Sequence, residues 1–378
     1  RQANRICAIA SNDLLYCWGD NSGGELGIGQ IGNREVPKQV KIGVSGSEVP
    51  AGSKIKQVGM GVSRTCAIAS NDLLYCWGDN TSGQVGNGVN GGDGSVPKQV
   101  KIGASGSEIP NGSKIKQVAV GSSSTCAIAS NNLLYCWGYN GEYGGIGDGT
   151  DANFNVPKQV KIGGASQIPS GSTIKDVFSS NSAMCLIVSN NKFYCFGYVG
   201  SNSIATNNET YLGYKTKNTK VFNQQVSGSE VPSGEKVIYI GKNSGDVRAK
   251  RCVIASNNLA YCWGSNAYGQ LGIGSTADQN VPKQVKIGTS GSEIPSGAKI
   301  TKISVGTSHA CAIASDNNAY CWGSNTSGQL GINSTINSNV PKKINIGING
   351  SNIPAGSAIR GLNVYSNTSC FITSKNIQ

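Results

Sequence analysis

The chain reads as an all-β propeller of four-stranded blades, and three observations lead there. A cysteine-led hairpin recurs seven times. It is CAIASNDLLYCWG at 7–19 and 66–78, CAIASNNLLYCWG at 126–138, CLIVSNNKFYCFG at 185–197, CVIASNNLAYCWG at 252–264, CAIASDNNAYCWG at 311–323 and the stub CFITSKNIQ at 370–378. The leading cysteines are 59, 60, 59, 67, 59 and 59 residues apart, the regularity of one unit repeated in space. Each full repeat also holds four strand-like segments, the pattern of a blade. Finally, both faces of the hairpin are apolar: Cys7, Ile9, Leu15 and Cys17 alternate with Ala8, Ala10, Tyr16 and Trp18. A free sheet leaves one face wet, whereas a blade between two others covers both.

The segment 55–102 illustrates one repeat. IKQVGMG (55–61) predicts the first strand, CAIAS (66–70) and LLYCWG (73–78) the next two across an Asn-Asp turn, and VPKQVKI (96–102) the fourth. The glycine-rich stretch 79–95 predicts a loop before that last strand. Gly at 53 of 378 residues and only 14% charged residues suit a turn-rich β protein. No apolar run approaches the ~18 residues of a membrane-spanning helix. The chain opens and closes inside a repeat, so any export signal or anchor is expected outside it. One propeller domain is expected over 1–378, with units near 12–70, 71–130, 131–189, 190–256, 257–315 and 316–374.

The runs YCWGDNSGGELGIG (16–29), YCWGSNAYGQLGIG (261–274) and YCWGSNTSGQLGI (320–332), each followed by a Val-Pro segment, carry a specific likeness. Here the chain resembles the regulator-of-chromosome-condensation repeat family over essentially its whole length. One departure is that the family's strand histidine is present only at His309. The resemblance implies a seven-bladed propeller. Seven blades are therefore expected, the last unfinished. In a six-bladed alternative the strand near 358–365 completes the blade begun by 7–42.

Twelve of the 13 cysteines form pairs ten residues apart. A tight hairpin sets such residues opposite each other, close enough for a disulfide. The expected bridges are Cys7–Cys17, Cys66–Cys76, Cys126–Cys136, Cys185–Cys195, Cys252–Cys262 and Cys311–Cys321. Cys370 is expected to find its partner two residues past Gln378. Paired hairpin cysteines with one histidine in the chain offer no zinc tetrad, and no C-x-x-C redox motif is present. The alternative is reduced core thiols. Structural disulfides imply an oxidising compartment, hence a secreted or cell-surface protein.

The net charge of +12 raises the question of nucleic acid. Many lysines, however, recur in VPKQVK as Lys38, Lys41, Lys98, Lys101, Lys158, Lys161, Lys283 and Lys286, on the outermost strand. Edge strands use Lys and Pro against sheet-to-sheet pairing, which accounts for them without a nucleic-acid partner. Glu48, Glu108, Glu230 and Glu293 recur with the repeat and read as structural. No catalytic constellation and no cofactor are expected. Asp148 and Asp151 in GDGTDAN (147–153) are a weak calcium signal. The sequons at Asn80 and Asn208 are expected by chance in so Asn-rich a chain.

The fourth unit departs most from its consensus. Phe196 replaces tryptophan, YVGSNSIATNNETYLGYKTKNTK (198–220) replaces the turn motif, and the following inner loop grows to GKNSGDVRAKR (241–251). Loops after the first and third strands of a meander share one end, so the two insertions are expected to meet there. The candidate patch is Tyr198, Tyr211, Tyr214, Lys215, Lys217, Asp246, Arg248, Lys250 and Arg251, rich in common interface anchors. Tyr139 and Tyr143 lie one blade away at the same end.

The function expected is an extracellular, non-enzymatic binding propeller: an adhesion, pilus-associated or surface-display module with a protein or surface partner. The alternatives are a secreted protein inhibitor and an enzyme of lyase or glycosidase type with a central site. The resemblance also implies nucleotide exchange on a small GTPase, but the cysteine pairs argue for another compartment.

Overall fold

A computed structural model describes residues 5–10, 12–92, 94–141, 144–163, 166, 168–180, 183–197, 216–222, 227–243, 250–347, 353, 356–364 and 369–374. The chain divides into two compact units. The first is Arg1–Tyr198 with Tyr214–Val221, and the second is Val199–Gly213 with Phe222–Gln378.

In the first unit, blade one is β1 (Arg5–Ile9), β2 (Leu15–Gly19) and β3 (Arg34–Gln39). Blade two is β4 (Ile55–Met60), β5 (Arg64–Ala69), β6 (Leu74–Gly78) and β7 (Lys98–Gln99). Blade three is β8 (Ile115–Val120), β9 (Ser124–Ala129), β10 (Leu134–Gly138) and β11 (Phe154–Gln159). Blade four is β12 (Ile174–Ser180), β13 (Ala183–Val188), β14 (Phe193–Gly197) and β15 (Thr216–Phe222), whose last residue falls in the second unit.

In the second unit, β16 (Val237–Ile240) is followed by the short β17 (Lys242–Asn243). Blade five is β16 with β18 (Lys250–Ala255), β19 (Ala260–Gly264) and β20 (Gln279–Gln284). Blade six is β21 (Ile300–Val305), β22 (His309–Ala314), β23 (Ala319–Gly323) and β24 (Ser338–Lys343), with β17 added in parallel to β21. A ribbon of β25 (Ala358–Val364) and β26 (Ser369–Ser374) follows.

The propeller therefore has six blades, not the seven expected. Among the described residues the seventh copy of the cysteine strand, β26, pairs only with β25. The fourth strand also departs from expectation in blade two, where β7 keeps two residues against six in β3. There the glycine-rich loop reaches across instead, and the Gly78 N–H donates to the Gly94 carbonyl at 2.8 Å.

The two apolar faces meet as the alternation demands. The sulfur face of blade one (Cys7, Ile9, Leu15, Cys17) packs on Ala67, Ala69, Tyr75 and Trp77 of blade two. The same pairing joins blade two to Ala127, Ala129, Tyr135 and Trp137, and blade three to Met184, Leu186, Tyr194 and Phe196. Within the second unit, blade five packs likewise on Ala310, Ala312, Tyr320 and Trp322. Small alanines leave the gaps that the large rings fill. Burial of one such tryptophan removes enough apolar surface to contribute about 4–6 kcal/mol in transfer free energy. All six cysteine pairs are joined, with Cα atoms 4.1–4.2 Å apart.

Each hairpin turn places one Asp or Asn in the left-handed region, Asp72 at φ 63° for example, a conformation these side chains tolerate. The turn carbonyl then ties the next blade: Ile115 N–H donates to Asp72 O and Ile174 N–H to Asn132 O, both at 2.8 Å. The tyrosines under these turns are buried, and desolvation raises the hydroxyl pKa of Tyr75, Tyr135, Tyr194, Tyr261 and Tyr320 above the ordinary value. For Tyr320 a hydrogen bond to Asp316 adds to the shift. The unfolded chain ionises first, near pH 10. Their contribution is thus complete below that pH and declines as pH climbs through the folded values. The urea midpoint should fall between pH 9 and pH 11, and Tyr135→Phe should make that fall shallower. An unchanged midpoint in the parent protein would contradict this reading.

Candidate interaction surface

In blades one, two, three, five and six the loop that follows the YCWG-type strand is built on a buried asparagine. Asn21 accepts from the Leu26 N–H at 2.9 Å and donates to the carbonyls of Gln30 and Gly32. Asn80 holds Val85, Val89 and Gly91 in the same way. Asn140, Asn266 and Asn325 repeat the device in blades three, five and six. Asn80 is therefore buried and fully engaged, which removes its sequon from consideration as a glycan site.

In blades one, two and five the base of the loop is locked from the side by the next blade's tryptophan. Trp77 Nε1–H donates to the Glu25 carbonyl at 2.8 Å, Trp137 to Gln84 at 2.9 Å and Trp322 to Gln270 at 3.0 Å. The chain must pass these rings closely. Gly86, at φ 78°, would place a Cβ 2.5 Å from Trp137 Nε1, so no other residue fits without displacement.

With carbonyls bonded inward, these loops leave apolar side chains exposed, on their far part in blades one, two and six and beside the asparagine in blades three and five. In the first unit the exposed apolar residues on these loops are Ile31 (67% exposed), Val89 (53%) and Tyr139 (38%), on three successive blades. In the second unit they are Tyr268 (49%) and Ile336 (76%). A cavity of about 130 Å³ opens beside Val89 in blade two, bounded by Trp77, Asn80, Asn87, Val96 and Lys98. The loops thus offer rigid, apolar points of contact with little ordering left to do on binding.

Of the residues expected to form a patch, Tyr198, Tyr211, Tyr214, Lys215, Asp246 and Arg248 lie outside the described residues, as does Tyr143. Lys217 belongs to β15, and Lys250 and Arg251 to β18. Sequence reasoning missed Ile31, Val89, Tyr268 and Ile336. It also missed two buried arginines, visible only as departures two residues before the leading cysteine. Arg5 donates to Gly61, Val62 and Arg64 carbonyls, and Arg64 to Gly121, Ser122 and Ser124 carbonyls. Desolvation lowers the Arg64 pKa to about 10. His309 occupies the same register position, is fully buried, and bonds Ser369 Oγ at 2.9 Å. The two arginines clamp one blade to the next, and His309 clamps blade six to the ribbon.

The carboxylates are likewise engaged in structure. Glu48, Glu108, Glu230 and Glu293 pair with Lys98, Lys158, Lys283 and Lys342 of the next outer strand. The outer-strand lysines at those positions are therefore interblade ion-pair partners as well as edge residues. Asp148 accepts hydrogen bonds from Thr150 and Asn140. Among the described residues no cluster of three or more His, Cys, Asp or Glu could hold a metal, and no helix is long and apolar enough to cross a membrane.

The pattern of the Regulator of chromosome condensation (RCC1) repeat matches residues 12–68, 71–128, 257–313 and 316–353, more than half of the sequence. The chain belongs to the RCC1-repeat family. A second RCC1-repeat pattern matches 55–84, 115–144 and 300–329, so the matched segments leave 145–256 uncovered, the region around the fourth unit. Among relatives, the ultraviolet-B receptor UVR8 of Arabidopsis thaliana is 27% identical over 333 residues, covering 87% of this chain and 65% of the receptor. The human E3 ubiquitin-protein ligase HERC2 is 25% identical over 311 residues, covering 81% of this chain but 5% of the ligase. The chain thus spans under two thirds of these relatives. The fold matches human WBSCR16 (TM-score 0.74, 17% identity, 98% of this chain and 85% of that one). It also matches Prp20p of Saccharomyces cerevisiae, described by its binding to Gsp1p and histones (TM-score 0.72, 14% identity, 99% and 82%).

Proposed function

We propose that this RCC1-repeat protein is a non-catalytic binding module of the cell surface or extracellular space, holding a protein partner against its third-strand loops. It would serve as an adhesion, pilus-associated or display scaffold. The observation that carries the reading is the set of exposed apolar residues Ile31, Val89 and Tyr139 on one run of blades, each on a loop that a buried asparagine braces from within. Exposed apolar residues on the loops of three successive blades, all at the end of the sheet where the third strand finishes, favour a partner over solvent. The six disulfides support an oxidising setting. A relative described by its protein binding, Prp20p, supports a binding role for the scaffold. The segments 198–220 and 241–251 are proposed to add a variable anchor to the same surface.

The test compares three labelled proteins for binding to the producing cells: the parent, an Ile31→Ser/Val89→Ser/Tyr139→Ser variant, and one with 198–220 and 241–251 replaced by consensus loops. Each lost apolar anchor should weaken binding by about tenfold, with thermal unfolding unchanged. Binding that survives both variants would overturn the reading. Free thiols at all twelve hairpin cysteines in natively purified protein would overturn the proposed compartment.

A further inference from the structure

We propose that the cavity in blade two receives one aromatic side chain, phenylalanine or tyrosine, from the protein partner. This inference rests on the preceding reading and deepens it, because the cavity opens among the same loops.

Three departures from the repeat make the cavity. The first is at the residue whose N–H donates to the buried asparagine. It is Leu26, Ile146, Leu271 and Leu330 in blades one, three, five and six, but the smaller Val85 in blade two. Two residues further on, blades one, five and six carry Ile28, Ile273 and Ile332, each packed against a core cluster. Blade three has Asp148 there, and blade two has Asn87. The third departure is Gly94, four residues before Lys98. At the same distance before Lys38, Lys158, Lys283 and Lys342 stand Arg34, Phe154, Gln279 and Ser338. The backbone of Gly94 runs so close to Gly78 that a Cβ would fall 2.0 Å from the Gly78 carbonyl oxygen. Only glycine fits, and it leaves the space beside it unfilled.

Val85, Asn87 and Gly94 all line the resulting cavity of about 130 Å³, together with Cys76, Trp77, Val96 and Lys98. Exposed Val89 and Gly92 stand at its rim. A Cβ at Gly91 or Gly92 would meet nothing within 4 Å, so the rim stays open.

Blade three shows what such a place accepts. There Phe154 takes the position of Gly94. Its half-buried ring packs on the core that holds Cys136 and Ile146, and Lys158 Nζ lies 5.2 Å from the ring centroid. Cys136, Ile146 and Lys158 correspond to Cys76, Val85 and Lys98 in the cavity wall. Blade two therefore offers to an incoming ring the surroundings that blade three closes over its own. The size agrees, since an apolar cavity of about 150 Å³ admits benzene. An ammonium near a ring face attracts it and gives a saturated group no such gain. The cation is not left over for a polyanion, because Lys98 Nζ donates to the Gly46 carbonyl at 2.8 Å and pairs with Glu48. Lys158 likewise pairs with Glu108 while it covers Phe154.

The experiment uses p-cresol as the free ring and 4-methylcyclohexanol as its saturated counterpart, titrated by heteronuclear NMR. The parent should bind p-cresol roughly threefold more tightly than the saturated alcohol. Val85→Leu/Asn87→Ile fills the cavity with the residues of blades one, five and six. It should keep or raise the melting temperature and lose about tenfold or more in p-cresol affinity. In the cell-binding assay above, this variant should bind about tenfold more weakly than the parent, and saturating p-cresol should weaken binding of the parent itself. No p-cresol binding, equal affinity for the two alcohols, or equal p-cresol affinity in the filled variant would each overturn the inference. So would cell binding by the parent that neither the filling nor p-cresol reduces, and that result would leave the loop-surface reading standing. A parent that binds p-cresol but not cells would overturn the loop-surface reading and, with it, the partner as source of the ring.

Discussion

Reduction of the six hairpin disulfides is expected to unfold this protein at about 37 °C. Each bridge closes a separate loop of ten residues, and none of the loops overlaps another. In the chain-entropy model a loop of that size is worth about 2.7 kcal/mol, so six independent loops approach 16 kcal/mol. A native domain has only about 5–15 kcal/mol to lose. The bridges lie in the interblade layers, and Cys66, Cys76, Cys126 and Cys136 are wholly buried. Full reduction should therefore begin only as blades open, and then proceed to completion. A phosphine reductant at neutral pH, followed by circular dichroism and by mass measurement of alkylated thiols, checks both points. A fully reduced protein that still melts cooperatively within a few degrees of the oxidised one would defeat the expectation. Replacing a single pair, Cys126→Ala with Cys136→Ala, should lower stability by roughly 2–3 kcal/mol.

Trp137→Ala should be among the most damaging single substitutions, at about 3–5 kcal/mol. The ring is fully buried in the core between blades two and three, against Tyr135, Ala127 and the sulfur face of its neighbour. Its loss also frees the loop base that carries Val85. The Gln84 carbonyl is not orphaned, because Thr125 Oγ1 donates to it as well, at 3.0 Å. The cost is thus mainly cavity and lost contact. Trp137→Phe should be far milder, about 1–2 kcal/mol, since Phe196 fills the corresponding place in blade four over Gly147. Equilibrium urea unfolding of the three proteins decides the order. Equal effects of the two substitutions would show that the hydrogen bond, not the packing, governs this position.

The hairpins were legible in the sequence because strand alternation has a period of two, which settles both faces of a cysteine-led pair at once. The interblade layers followed from that alternation. The blade number did not, because the seventh cysteine strand looks like the other six over its first residues. What distinguishes it is its pairing, which among the described residues is with β25 alone. The destination of the lysines was equally hidden. Lys158 and Glu108 are 50 residues apart and meet only because the linker of one blade crosses the edge of the next. The exposed tips were invisible for another reason. Ile31 and Ile336 are apolar residues whose exposure is imposed by hydrogen bonds from asparagines ten or eleven positions earlier. Hydrophobicity alone assigns such residues to a core. The clamp of Arg64 left only a faint trace, a cation in a register position filled by Ser124 and Ala183 in the following blades.

The pairing of a sulfur-bearing face with an aromatic one gives the junctions between blades within each unit a front and a back. Because successive junctions join the same two unlike surfaces, an extra blade copied in tandem would find a matching neighbour on either side. The number of blades in such an array can therefore change by whole cassettes during descent, with no new interface to invent.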